Sequence, residues 1–331
     1  MRLKPQFILA LPLLASLCFS PVASAKTDVN SNRDKFIKMM VKKHKFDSKA
    51  LNKTFKSFTF KDKIIRSMNR QAEDMTWGKY KPIFLTPKRT KQGLEFWKKH
   101  EKTLAAASKK YGVPAEIIVA IIGVETSYGR ITGGYQVIDA LGTLAFGYPR
   151  RAKFFSKELE TFLLIAREQK LDPLKIEGSF AGAMGIPQFM PSSYKAWAID
   201  FDGDGKKDLW HNPVDAIGSV ANYFSKFNWK TGEEVTFPVK VVEKTARKAL
   251  TKRIKYKYTL KQLEKFGITL PKHLDKKRKG LLIDLTLKSG KKEYWVGLHN
   301  FYVITRYNHS TLYGMAVYQL SQSLRKGYKG S

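Results

Sequence analysis

Acidic residues and cysteine are both scarce in this chain, and each scarcity narrows what it can be. Only 28 Asp and Glu face 61 Lys and Arg, which leaves a formal net charge of +33 on 331 residues. A field of that sign concentrates a protein on polyanions. The one cysteine, Cys18, falls in an N-terminal apolar stretch. Removal of that stretch would leave no thiol, which excludes cysteine catalysis and thiolate metal sites and suits an oxidising compartment. Long hydrophobic runs are missing too. The stretch from Phe7 to Phe19 is short and broken by Pro12, and no later run approaches membrane-spanning length. There is no internal repeat and no long low-complexity segment.

What the N-terminus does have is Arg2 and Lys4, the apolar stretch, then Ala23-Ser24-Ala25. That order predicts a signal peptide over residues 1–25, cleaved before Lys26, and hence a periplasmic mature protein. Lipoprotein processing needs a small residue before the cysteine; Leu17 stands there instead, so a lipid anchor is not expected. Export also selects among polyanions. Lys276-Lys277-Arg278-Lys279 and the interleaved Arg253-Ile254-Lys255-Tyr256-Lys257-Tyr258 would suit nucleic acid, but an exported chain does not meet it. Cell-wall glycan with acidic stem peptides, or anionic lipid headgroups, is found where this chain goes. Taken singly, each lysine run also reads as a solvated surface.

Glu125 is the most informative residue. It closes the apolar run Ile117-Ile118-Val119-Ala120-Ile121-Ile122-Gly123-Val124, a context that normally keeps carboxylates out. Pro114 fits the start of a short buried helix and Gly129 its stop, which puts Glu125 in the last turn. Desolvation and the negative end of the helix dipole both push its pKa up, toward that of a general acid. A structural carboxylate, paired with an arginine or capping a loop, is the competing reading. A second stretch, Gly178-Ser179-Phe180-Ala181-Gly182-Ala183-Met184-Gly185-Ile186-Pro187-Gln188-Phe189-Met190-Pro191, mixes small residues, aromatics and isolated hydrogen-bonding groups. Glycines permit close backbone approach, aromatics stack on sugar rings, and Ser179 and Gln188 can orient hydroxyls or acetamido groups.

Together with Glu125-Thr126-Ser127-Tyr128-Gly129, with the run from Ile138 to Phe146 and with Tyr148-Pro149-Arg150-Arg151-Ala152, this stretch resembles the lytic murein transglycosylase B family. The resemblance covers residues 113–224 and resumes over 300–319. It implies a mainly α fold (α+β) with a lysozyme-like helical core, and Glu125 as the single acid/base. Ser179, Gln188 and Phe189 would contact substrate near the bond, Arg150 and Arg151 would hold an acidic stem peptide or lactyl carboxylate, and Tyr223, Tyr302 and Tyr307 would line the glycan cleft. Where many relatives carry a tyrosine after the paired arginines, this chain has Phe154. The motif blocks supply no second acid near Glu125. Glu116 lies more than two turns away, and Asp139 reads as a cap or ion-pair partner. The resemblance implies non-hydrolytic cleavage between N-acetylmuramic acid and N-acetylglucosamine, in which the muramic acid 6-hydroxyl closes a 1,6-anhydro ring, and a lone acid suits that reaction.

Asp200-Phe201-Asp202-Gly203-Asp204-Gly205-Lys206-Lys207-Asp208 opens as a calcium loop does, with oxygen ligands at alternate positions and glycine at the sharp turn. Candidate ligands are Asp200, Asp202, Asp204, the Lys206 carbonyl and Asp208. His211 stands where a bidentate glutamate would close the loop, and the resemblance implies that Asp215 closes it instead. A structural Ca²⁺ is expected, and no organic cofactor.

Composition along the chain predicts a helical N-terminal region over 26–112, including a longer pattern from Gln92 through Tyr111. A catalytic core follows over 113–232, then a small β-containing insertion over 233–296 and a return to the core over 297–331. Within the insertion, residues 235–242 and 282–287 read as strands, and Ser289-Gly290 as a hairpin turn before residues 293–296. Peptidoglycan strands are the expected partner, with cell-wall synthases or amidases beside them. A hydrolytic muramidase on the same fold and a noncatalytic wall-binding or scaffolding protein are the alternatives.

Overall fold

A computed structural model describes residues 28–70, 75–251 and 253–330. The expected signal peptide, 1–25, lies outside them. Helices dominate, and among the described residues a five-stranded antiparallel sheet and a two-stranded one, Tyr135–Gln136 with Glu177–Gly178, accompany them. No helix among the described residues is long and apolar enough to cross a membrane. Contacts divide the described chain into two compact units, one from residues 75–128 and 220–330, the other from 28–70 and 129–219.

In the first unit the expected buried helix is Ala115–Thr126, with Pro114 as its N-cap. Nearly every residue of it is buried, as its all-round apolar sequence requires. It packs against Pro87–Lys99 and against the C-terminal helix Thr311–Lys329. The pattern from Gln92 through Tyr111 is two helices, Pro87–Lys99 and Glu101–Tyr111, not one. His100 leaves helical dihedrals (φ −115°, ψ 25°), with its N–H still donating to the Phe96 and Trp97 carbonyls and its ring 4.6 Å from that of Phe96. Periodicity survives such a one-residue break, so hydrophobic spacing alone did not reveal it.

The five-stranded sheet joins Tyr258–Thr259, Lys279–Thr286, Lys292–Gly297, Thr236–Val241 and Ile268–Thr269 in that spatial order, all pairings antiparallel. Leu282 opposes Val296, and Gly290 supplies the positive φ of the hairpin turn. Phe237, Leu260, Leu263, Ile268, Leu282 and Val296 share one core beneath it. The helix Trp77–Phe84 lies against the strand Lys279–Thr286. Gly78 makes that approach possible, since a Cβ there would stand 2.3 Å from the Lys288 nitrogen.

The second unit pairs Val137–Gly147 with Ala152–Glu168 and adds Val29–His44, Ser48–Lys56 and Asp62–Arg70. Phe36, Phe55, Phe58 and Phe146 meet in an aromatic cluster. Asp139 is buried, accepts from the Thr59 N–H at 2.8 Å and pairs with Lys61 at 3.3 Å. It is the ion-pair partner that the sequence reading allowed.

Candidate active site

Glu125 sits one residue before the end of its helix, and the chain leaves that helix abruptly. Ser127, Tyr128 and Gly129 are all left-handed (φ 51°, 65° and 79°). The Ser127 and Tyr128 amides turn back to the Gly123 and Ile122 carbonyls, which closes the C-terminus. Two consecutive non-glycine residues with positive φ store backbone strain at this point. The Tyr128 ring seals the turn by packing on Gly123, where a Cβ would lie 2.7 Å from it, and its hydroxyl donates to the Arg89 carbonyl at 2.9 Å. The Arg89 guanidinium in turn donates to the Gly123 carbonyl.

The Glu125 side chain keeps a partly open face, but its carboxyl is enclosed by protein atoms. Burial pushes its pKa from 4.5 up to about 8, opposed by one hydrogen bond, from the Tyr313 hydroxyl to Oε1 at 2.7 Å. The acid is therefore protonated at neutral pH. Phenols gather around it. Burial and the Glu125 charge hold Tyr80, Tyr307 and Tyr313 above the usual phenol range, so each remains a hydrogen-bond donor. Tyr313 and Tyr80 escaped the sequence reading: one lies 188 residues from Glu125, the other in a helix without a motif.

Of the three tyrosines expected along the cleft, Tyr307 is stacked parallel to Tyr313 (6.5 Å, 11°) and so stands at the acid. Tyr223 packs on Tyr307 at 4.8 Å, but it is buried and its hydroxyl donates to the Arg306 carbonyl at 2.6 Å. Its place is behind Tyr307. Tyr302 is stacked on Tyr256 of the β-containing segment (6.1 Å, 27°).

In the second unit, Ser179 is buried and its Oγ accepts from the Ala181 and Ala183 amides at 3.3 and 3.0 Å. It organises the glycine-rich turn. Gln188 adopts a left-handed φ of 53°, and its Nε2 donates to the Thr132 and Gly185 carbonyls at 2.8 and 2.9 Å. Those two bonds fix the amide, and its Oε1 is buried with no hydrogen-bond partner. Phe189 is only 2% exposed and forms a backbone bridge with Met184, so it supports the turn instead of presenting a ring face. Arg151 lies 4.2 Å from the Phe154 ring centroid and 5.2 Å from that of Phe155, whereas Arg150 is exposed. Phe154 thus serves Arg151 as a cation–π partner.

Asp200, Asp202 and Asp204 bring one carboxylate oxygen each within 4.8 Å of one another. Among the described residues none of the three is paired with a lysine or arginine. Converging carboxylates without a compensating cation fit a hard divalent ion with oxygen ligands. Asp208 accepts from the Trp210 and His211 amides, both at 2.9 Å. Asp215, fully buried, accepts from the Phe201 and Asp208 amides, both at 2.8 Å, and so ties the two ends of the loop together. Burial raises the pKa of Asp215; the two amides oppose that rise, and Asp202 and Asp200 add to it. Both residues, expected as ligands, here brace the loop.

A family model described as Transglycosylase SLT domain matches residues 28–322. Membrane-bound lytic murein transglycosylase B of Escherichia coli (strain K12) is 47% identical over 305 residues, covering 89% of this chain and 83% of its own length. The structure is similar to that of the Escherichia coli lytic transglycosylase Slt35 in complex with calcium (TM-score 0.83, 47% identity, 91% of this chain and 94% of that one). It is also similar to SltB3 from Pseudomonas aeruginosa in complex with NAG-NAM-pentapeptide (TM-score 0.80, 30% identity, 91% and 80%). The mainly helical, lysozyme-like fold expected from the sequence is the fold of these neighbours. With the family matched over most of its length, this chain belongs to the lytic transglycosylases of the Transglycosylase SLT domain family, enzymes that cleave peptidoglycan.

Proposed function

We propose that the chain cleaves the β-1,4 bond between N-acetylmuramic acid and N-acetylglucosamine without water, with Glu125 as the only acid/base. The observation that carries this reading is a carboxyl kept protonated by burial, among phenols and, among the described residues, with no second carboxylate acting on it. Its proton passes to the glycosidic oxygen as the C1–oxygen bond breaks. The resulting carboxylate, steadied by the Tyr313 hydroxyl, then takes the proton of the muramic acid 6-hydroxyl as that oxygen bonds to C1. Atoms balance without water, and Glu125 ends as it began. A nucleophile within the same sugar is already in place, which makes a second carboxylate unnecessary.

Gln188 Oε1, buried and unmatched, is an acceptor for a sugar hydroxyl or acetamido N–H. Ser179 and Phe189 keep the turn that presents it. Arg151, steadied by aromatic rings, and exposed Arg150 would take carboxylates of the stem peptide. Tyr307 would meet sugar near the bond, with Tyr223 behind it and Tyr302 farther along. Residues 113–232 are the proposed core and 233–296 an insertion in it. We further propose export by the N-terminal segment to the periplasm, where the basic surface meets an anionic wall. Mass spectrometry of fragments released from purified sacculi tests the reaction. Muropeptides one water lighter than their reducing forms are expected, and an absence of any release would favour a binding or scaffolding role.

A structural Ca²⁺ would be held by Asp200, Asp202, Asp204 and the Lys206 carbonyl, with Asp208 and Asp215 bracing the loop. The ion would cancel the repulsion among these carboxylates. Binding only the folded state stabilises it, by about 2.7 kcal/mol at a hundredfold excess over Kd. Added calcium should raise the melting midpoint by several degrees over chelator, and Asp202→Ala should remove the increment. Superimposable melting curves would leave the loop as a metal-free turn.

A further inference from the structure

The segment Arg253-Ile254-Lys255-Tyr256-Lys257-Tyr258 is left without a role by the reaction, yet its geometry is ordered. It leads into the edge strand Tyr258–Thr259, and exposed and half-buried residues alternate along it. Arg253, Lys255 and Lys257 are exposed, and Ile254, Tyr256 and Tyr258 are half-buried. The three cations share a cavity of about 410 Å³ with Leu250, Thr251 and Tyr258, and among the described residues no acid lines it. Glu233, the acid that bears on Tyr256, is already paired with Arg278 at 2.7 Å.

Two contacts tie this segment to the helix that carries Tyr302 and to the residues just past it. Tyr256 stacks on Tyr302 of the helix His299–Tyr307, and its ring meets that of His299. Arg253 acts, together with Arg306, on the His309 imidazole just past that helix; burial and the two guanidinium groups hold it below the usual histidine range. The segment that carries the cations therefore lies against the helix that carries Tyr302, through the Tyr256–Tyr302 stack.

We propose that this cavity is a subsite for the carboxylates of an acidic stem peptide hanging from the bound glycan. The proposal rests on the reading that Tyr302 lies along the glycan path. A concave site with three cations and a floor of Leu250 and Tyr258 suits a discrete chain of small apolar side chains and carboxylates. A lipid surface would call for a flat array of cations instead. The unlined acid side gives selectivity, since a neutral sugar has nothing there to neutralise.

The test compares Arg253→Ala/Lys255→Ala/Lys257→Ala with the unaltered protein on two substrates, peptide-bearing glycan strands and strands stripped of their peptides. A control removes as many exposed lysines elsewhere, Lys38, Lys42 and Lys49. On peptide-bearing strands the cavity variant should show a KM raised about tenfold at nearly constant kcat. Its preference for peptide-bearing over stripped strands should fall by the same factor, and the control should keep that preference. Equal loss on both substrates, or equal loss in the control, would mean general attraction to polyanions and would overturn the subsite. So would a variant whose only deficit is in binding to phosphatidylglycerol vesicles. Failure of the unaltered protein to cut either substrate would instead defeat the proposed function, so the two failures are distinct.

Discussion

Glu125→Gln should fold, bind glycan and turn over about a thousandfold more slowly. The amide matches the carboxyl in shape and keeps an oxygen for the Tyr313 hydroxyl, now 2.7 Å from Oε1, so packing and orientation persist. What it cannot do is give up a proton and take one back, and general acid–base catalysis contributes on the order of 10²–10⁴ to such reactions. Because the loss arises after binding, it should appear in kcat with KM little altered. The check is steady-state release of muropeptides, with circular dichroism and a melting curve to show that the variant is native. A folded variant with a tenth of normal activity would move the chemistry to another acid. Glu116 and Asp139 are already engaged: Glu116 lies 4.0 Å from Arg325, and Asp139 is held by Lys61 and the Thr59 amide.

The same substitution should stabilise the protein at alkaline pH, and the direction follows from the pKa. Folding raises the Glu125 carboxyl from 4.5 to about 8, so between those values the folded chain holds a proton that the unfolded chain has released. Stability must then fall as pH rises from about 4.5 toward 8, at up to about 1.4 kcal/mol per unit from this one group, and level off above. Glu125→Gln removes the titration. The two proteins should melt alike near pH 4.5 and diverge by several degrees at pH 8 to 9, with the inactive variant the more stable. Activity shares that titration: kcat/KM of the unaltered enzyme should drop tenfold per unit above about pH 8, as the acid is lost. Parallel melting curves at all pH values would show that the carboxyl titrates normally, and the acid role would lose its physical basis.

Both expectations depend on a group that the sequence exposed clearly and on neighbours that it did not. A carboxylate at the end of eight apolar residues is visible because local hydrophobicity and helix signals lie within one short window. The Asp200 loop and the hairpin at Gly290 are visible for the same reason: alternate oxygens and turn glycines are local rules. Tyr313 and Tyr80 reach Glu125 only through the packing of Thr311–Lys329 and Trp77–Phe84 in the same unit, and no periodicity encodes that meeting. Residue type also misleads where fold decides exposure. Phe189 and Tyr223 read as sugar contacts, but one is 2% exposed and the other 5%, and both serve the residues that stand in front of them. Gln188 carries the opposite lesson. Its left-handed backbone and unmatched Oε1 are invisible in one dimension, and they make it a better substrate contact than its letter alone would suggest.

Digestion of purified sacculi in heavy-oxygen water tests the central claim, a single acid with an internal nucleophile, most directly. If the muramic acid 6-hydroxyl attacks C1, the new ends are 1,6-anhydro rings and carry no solvent oxygen. Mass spectra should then show unlabelled anhydromuropeptides as the main product, with their formation lost in Glu125→Gln. Reducing muramic acid ends carrying the heavy oxygen as the dominant product would contradict the account, since they require water, and not the 6-hydroxyl, to attack C1.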